Sequence, residues 1–172
     1  MSLIPRTSTL TALASGAFFL GASGSTALAA KGSDSPEKPN WMATPLYETV
    51  ELASGFDDDP HTVSVQAGGE SSVDDSLAPG CAGNINLEEP DVDLNYESDD
   101  YPLFITADSS ADTTLVVYGP EGRWYCNDDF GSSDPMVVFH NPQSGNYNIW
   151  IGVYEGSNNP DATLKFTEIN PM

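Results

Sequence analysis

The residues with the most chemical potential in this chain are carboxylates. Asp57-Asp58-Asp59 precede one apolar stretch, Asp108 and Asp112 flank a Ser-Ser-Ala turn, and Asn127-Asp128-Asp129 open a Gly/Ser loop. Calcium takes six to eight oxygens from carboxylates, carbonyls and water. If Asp112 meets the Asp128-Asp129 pair at one end of a fold, the three form an oxygen-rich calcium site. The same residues are also what tight turns select for backbone reasons, and no spacing matches an EF-hand loop.

Other chemistry has less material. The two histidines, His61 and His140, sit inside apparent strands, and neither a Gly-x-Ser-x-Gly elbow nor any other nucleophile motif accompanies them. Paired carboxylates suited to glycoside hydrolysis carry no information among 26 acids. Two histidines and two distant cysteines do not make a zinc site, and no phosphate-binding glycine loop is present. The reading is therefore non-enzymatic, with no catalytic residues. The alternative is a peptidase-associated protein or a hydrolase with a cryptic site.

Aromatic side chains offer a second kind of site. Trp150 and Tyr154 have the opposite parity to Ile149, Ile151 and Val153, and Trp124 and Tyr125 follow the turn at Gly122. Together they make either a ligand-binding platform for a sugar or peptide, or simply core and edge cover.

These residues need a scaffold, and its elements read as strands. Short candidate strands run through residues 47–52, 61–66, 91–96, 103–106, 113–118, 123–126, 136–140, 147–154 and 162–168, with apolar/polar alternation in 61–66 and 91–96 and a period of two in 147–154, and with Gly, Pro, Asn and Asp at nearly every junction. About nine short strands at this spacing predict an all-β fold, an antiparallel β-sandwich or jelly roll. No helical period of useful length appears after the N-terminal stretch.

That N-terminal stretch, residues 1–29, has the form of a secretory signal peptide. Arg6 precedes a run of apolar and small residues through Leu20, and Ala27-Leu28-Ala29 offers a cleavage site. The run is too short to span a bilayer. Residues 30–45 read as a flexible Pro/Ser-rich acidic leader, with Trp41 as the exception, and residues 46–172 as a single domain. Export to the periplasm or the extracellular space follows. With an even cysteine count, export suggests a Cys81–Cys126 disulfide, the alternative being two buried thiols.

The 172-residue chain carries a net charge of −21. Loss of Arg6 with the signal leaves four basic residues against 26 acidic ones, a net charge of −22. Nucleic acid and anionic membranes are thereby excluded as electrostatic partners. Divalent cations, basic partners and a salty medium are the compatible settings.

From Asp108 to Phe166 the chain resembles the bacterial pre-peptidase C-terminal domain. The resemblance is carried by Asp112-Thr113-Thr114-Leu115-Val116-Val117, Gly119-Pro120-Glu121-Gly122, Asn127-Asp128-Asp129, and Pro142-Gln143-Ser144-Gly145-Asn146-Tyr147 running into Ile149-Trp150-Ile151-Gly152. A wider set, including Gly80-Cys81-Ala82-Gly83 and Trp124-Tyr125-Cys126, is similar to small exported proteobacterial proteins sometimes labelled serine peptidases. The resemblance implies a jelly-roll-like sandwich, secretion alongside peptidases, and for some members binding of calcium or of an insoluble substrate. Asp112, Asp128 and Asp129 are the positions that match the metal-associated pattern. The expected role is an exported binding or accessory module whose ligand is a polysaccharide, a peptide, a cell-envelope component or a partner protein.

Overall fold

The structure is a computed structural model, and it describes residues 37–171 apart from 132 and 157. The expected signal peptide and the first part of the expected leader lie outside the described residues.

Strand alternation translates directly into two sheets with a shared core. Strands β1 (Glu48–Ala53), β2 (His61–Gln66), β3 (Ser71–Ser72), β4 (Asn84–Ile85), β5 (Val92–Glu97), β6 (Leu103–Ser109), β7 (Thr113–Tyr118), β8 (Trp124–Asn127), β9 (Met136–Phe139), β10 (Gly145–Val153) and β11 (Asp161–Thr167) follow in chain order. The smaller sheet runs β2-β11-β6-β9 and is antiparallel throughout. In the larger sheet β10 is the hub, pairing with β5, β7 and β4, while β8 extends β7 and β3 extends β4. The fold is all-β, and no helix among the described residues is long and apolar enough to cross a membrane.

The residues at every second position fill the space between the sheets. Val92, Leu94 and Tyr96 of β5 meet Tyr147, Ile149, Ile151 and Val153 of β10, with Leu103, Ile105, Leu164 and Phe166 opposite. Nearly all of these side chains are fully buried. Each such aliphatic or aromatic burial contributes about 1.5–3 kcal/mol.

Two features depart from the expected antiparallel sandwich. Strand β1 pairs with β5 in parallel, Glu48 against Val92 through Ala53 against Glu97, so the larger sheet is mixed. Parallel neighbours need a long connection, and here it contains β2, β3 and β4. The second departure is a third layer. The segment from Val73 to Leu87 folds over the outer face of the larger sheet and forms its own apolar cluster there.

The part of the expected leader that is described does not hang free of this layer. Asn40 N–H donates to the Leu87 carbonyl at 2.8 Å, and the Trp41 ring stacks on Tyr118 with centroids 5.0 Å apart. Leu46 and Tyr47 then donate to the carbonyls of Pro90 and Asp91.

Candidate functional site

The third layer is built from the residues that the strands turn outward. Val116 of β7 and Trp150 of β10 face away from the main core, and Val73, Cys81 and Ile85 close over them. Cys81 and Cys126 form a disulfide with Cα atoms 4.8 Å apart, fastening the cover to β8. Under it runs an aromatic row. Trp150 lies 5.5 Å from Trp124, Trp124 lies 4.6 Å from Tyr118, and Tyr118 carries Trp41.

Of the two readings of Trp124, Tyr125, Trp150 and Tyr154, a ligand platform or core and edge cover, the arrangement gives no single surface that the four share. Trp150 is 0% exposed because the cover lies on it. Tyr125 points the other way, against the main core, edge-on to Phe139 at 4.9 Å. Trp124 is half-buried within the row, and Tyr154, beyond the end of β10, is 43% exposed. Opposite parity on a strand means a different layer, and in this fold the outer layer is itself covered.

The three aspartates of the calcium expectation do reach one end of the molecule. The Asp112 carboxyl is raised by desolvation, and then by the negative charges of Asp129, Asp128 and Glu155. They are close enough to repel. Among the described residues, however, no group of three or more His, Cys, Asp or Glu side chains is placed to hold a metal ion. The histidines are apart from one another and from any nucleophile: His61 lies over Phe166 at 6.3 Å, and His140 is exposed just past β9. Neither imidazole hydrogen-bonds a serine among the described residues.

A different group of residues lines a cleft. Strand β5 leaves β10 after the pairing of Val92 with Ile149, and β4 reaches it only at Val153 opposite Asn84. On this flank Ile151 is left in the gap with no strand beside it, while β7 pairs with it on the other through Leu115. Its N–H donates to Asp91 Oδ2 at 2.7 Å, and its carbonyl accepts the Gly68 N–H at 2.8 Å. A carboxylate and a loop amide thus replace a missing strand, as buried backbone groups require.

Above the gap lies a cleft of about 660 Å³, walled by the 37–47 strap, the Gly68-Gly69-Glu70-Ser71 loop and residues 85–88. The loop comes this close because it is glycine. Gly68 has φ +113°, and a Cβ on Gly69 would lie 2.0 Å from the Ile85 carbonyl carbon. Tyr47 holds the rim by accepting the Gln66 N–H at 2.9 Å.

Asp91 lines this cleft at 3% exposure. Desolvation is the main cause of its elevated pKa, opposed by the Ile151 N–H and reinforced by Glu89, and the net result is about 7. Such a value arises when no cation compensates a buried carboxylate. The sequence hid this residue. Asp91 shares parity with Asp93 and Asn95, which reads as a solvated face. The one available signal is the Gly68-Gly69 pair directly after β2, since glycine after a strand marks close approach of another backbone.

No family model matches the chain, and no curated protein matches it. Among solved structures, the chain is similar to a periplasmic inhibitor of g-type lysozyme from Aeromonas hydrophila, with a TM-score of 0.35 and 11% identity over 70% of this chain and 96% of that one.

Proposed function

We propose that this chain is an exported, non-catalytic binding or accessory module that takes its ligand at the cleft beside the disulfide-fastened cover. The observation that carries this is the cover itself. The main core is complete between the two sheets, yet the segment from Val73 to Leu87 and a disulfide add a second apolar cluster, and residues 85–87 at its end form one wall of a cleft. Ligand sites favour such preformed concavities with a few convergent polar groups.

Export is supported by the disulfide, which persists in oxidising compartments, and by the signal-like start of the sequence. The resemblance of residues 108–166 to pre-peptidase C-terminal domains supports the accessory form, beside a partner protein. A hydrolase would need His61 or His140 beside a serine, and the described geometry offers neither pair.

The test is a binding screen of the oxidised protein on glycan and peptide arrays, at low and physiological salt. Saturable binding of one chemical class, lost when the cleft residues are changed, is expected. Arrays without a hit under all conditions would overturn the proposal.

Calcium enters as a stabiliser of the Asp112 end rather than as the ligand. The observation favouring it is that the Asp112 carboxyl, raised first by desolvation, is raised further by the negative charges of Asp129, Asp128 and Glu155, an effect that a divalent cation relieves. Millimolar calcium should then raise Tm by more than sodium chloride of equal ionic strength, with the excess lost in Asp112→Ala. Equal shifts would remove calcium from the account.

A further inference from the structure

Asp91 has two carboxylate oxygens, and the fold uses one. Oδ2 accepts the Ile151 N–H. Oδ1 makes no hydrogen bond to the described residues, yet it is not among their sealed, unpartnered atoms; in a side chain otherwise almost entirely buried, it is the oxygen open to the cleft. Its remaining hydrogen-bond capacity is met from the cleft, by water or by a donor that displaces water.

The surroundings specify that donor. Glu37, Glu70 and Glu88 line the same cleft, and Glu89 adds its charge to Asp91. The one cation among the lining residues is Lys38, which is exposed and makes no ion pair among the described residues, where the ion pair is Lys165 with Asp108, elsewhere. The field at the cleft is therefore negative, within a chain whose net charge is −21, and field lines concentrate in such a concavity.

Geometry then separates the two biological cations. A guanidinium recognises a carboxylate best as a fork, using both oxygens. Asp91 has only one to offer. An ammonium is a point donor on a flexible apolar stem, and Leu46 and Leu87 line the cleft where such a stem would lie.

We propose that this cleft is a receptor for a primary ammonium group, held by Asp91 Oδ1 at the floor and by the glutamates at the rim. The group is carried by a lysine side chain of a partner protein or by a free polyamine. This rests on the binding-module reading and names its ligand class.

One proton links to this event. Asp91 titrates near neutrality, with Glu37, Glu70, Glu88, Glu89 and Lys38 as the charged groups around it, and an ammonium binds its ionised form. Binding should therefore strengthen as pH rises, by up to about tenfold per unit below neutrality, and level off above it.

The experiment is an NMR titration of the isotope-labelled, oxidised protein, purified after export, with tri-lysine, spermidine and tri-arginine in physiological salt at pH 6, 7 and 8. Expected are saturable shifts at the Gly68, Gly69 and Ile151 amides, affinity rising with pH, and tri-lysine or spermidine exceeding tri-arginine. Preference for tri-lysine assigns the ammonium to a protein partner, and preference for spermidine to a free polyamine. Asp91→Asn, which keeps an acceptor for Ile151, should weaken binding at pH 8 by about tenfold or more, while Asp161→Asn on β11 leaves it unchanged. If Asp91→Asn does not fold, the exposed pair Glu70→Gln/Glu88→Gln should weaken binding several-fold.

Shifts spread over the whole surface, equal affinity in every variant, or a tri-arginine preference would overturn the proposal. Loss of tri-lysine binding with array ligands still bound would remove the ammonium assignment alone. Loss of both would remove the binding-module reading with it.

Discussion

The side chain of Asp91 takes the N–H of Ile151 at 2.7 Å, doing for β10 what a neighbouring strand's carbonyl does elsewhere in the sheet. A carboxylate in a backbone role brings a charge with it, and that charge makes the fold sensitive to pH.

The pKa of Asp91 rises from 3.8 to about 7 on folding, chiefly by desolvation. Between those values the folded chain holds a proton that the unfolded chain releases. The stabilising contribution is therefore complete below the unfolded value and is lost as pH rises through about 7. Urea melts of wild type and Asp91→Asn at pH 5 and pH 8 should show the variant gaining on wild type at the higher pH, on the order of a few kcal/mol. A constant difference across that range would show that Asp91 does not change protonation on folding.

Removing the disulfide should cost much and leave the sandwich in place. The bridge spans 45 residues, and the chain-entropy model assigns such a loop about 4 kcal/mol. Cys81→Ser/Cys126→Ser should lower the urea midpoint accordingly. Tryptophan emission should shift to the red before global unfolding, as water reaches Trp150 and Trp124 under a loosened cover. A single transition with unshifted native emission would mean that the cover holds without its bridge.

Glycine at position 69 is required by space, not by backbone angle. A Cβ there meets the Ile85 backbone at 2.0 Å, whereas one on Gly55, at φ +81°, meets nothing within 4 Å. Gly69→Ala should destabilise by about 3 kcal/mol through forced separation of two backbones. Gly55→Ala should cost only the left-handed strain of about 1–2 kcal/mol. Thermal melts of the two variants compare them, and a reversed order would contradict the close approach at the cleft wall.

Salt should stabilise the protein. With 26 acidic and five basic residues, self-repulsion destabilises the compact state and is screened as the Debye length falls from about 30 Å at 0.01 M to about 3 Å at 1 M. Tm should rise by several degrees on raising sodium chloride over that range. A flat response would mean that the acids are spaced widely enough to ignore one another.

Much of this architecture was legible in the residues. Each predicted strand is present, and 61–66 and 113–118 are matched at both ends: the first shows a clean period of two, and the second is a β-branched, apolar run bounded by turn residues. Strands β3 and β4 were not read, since two residues cannot show a period. The parallel pairing of β1 was equally hidden, because alternation looks the same whichever way the neighbour runs. The cover was hidden for a different reason. Val73, Leu77, Cys81, Ile85 and Leu87 are scattered among polar and turn residues, so nothing periodic marks them as a layer. The cysteine pair was their one visible trace, and it pointed to a link without saying what lay beneath. Parity alone left Trp150 open between a ligand platform and core cover, and gave no sign that Asp91 is buried; the cover and the gap in the sheet account for both.

Strand β11, the last of the described strands, lies in the middle of its sheet, with β2 on one side and β6 on the other. Neither neighbour has a partner for that flank until residues 161–167 are available. The smaller sheet therefore stays open while the residues before 161 are being made or passed through a membrane pore. A sheet that cannot close early keeps the preceding chain pliable enough to be threaded, and locks only once its central strand has followed.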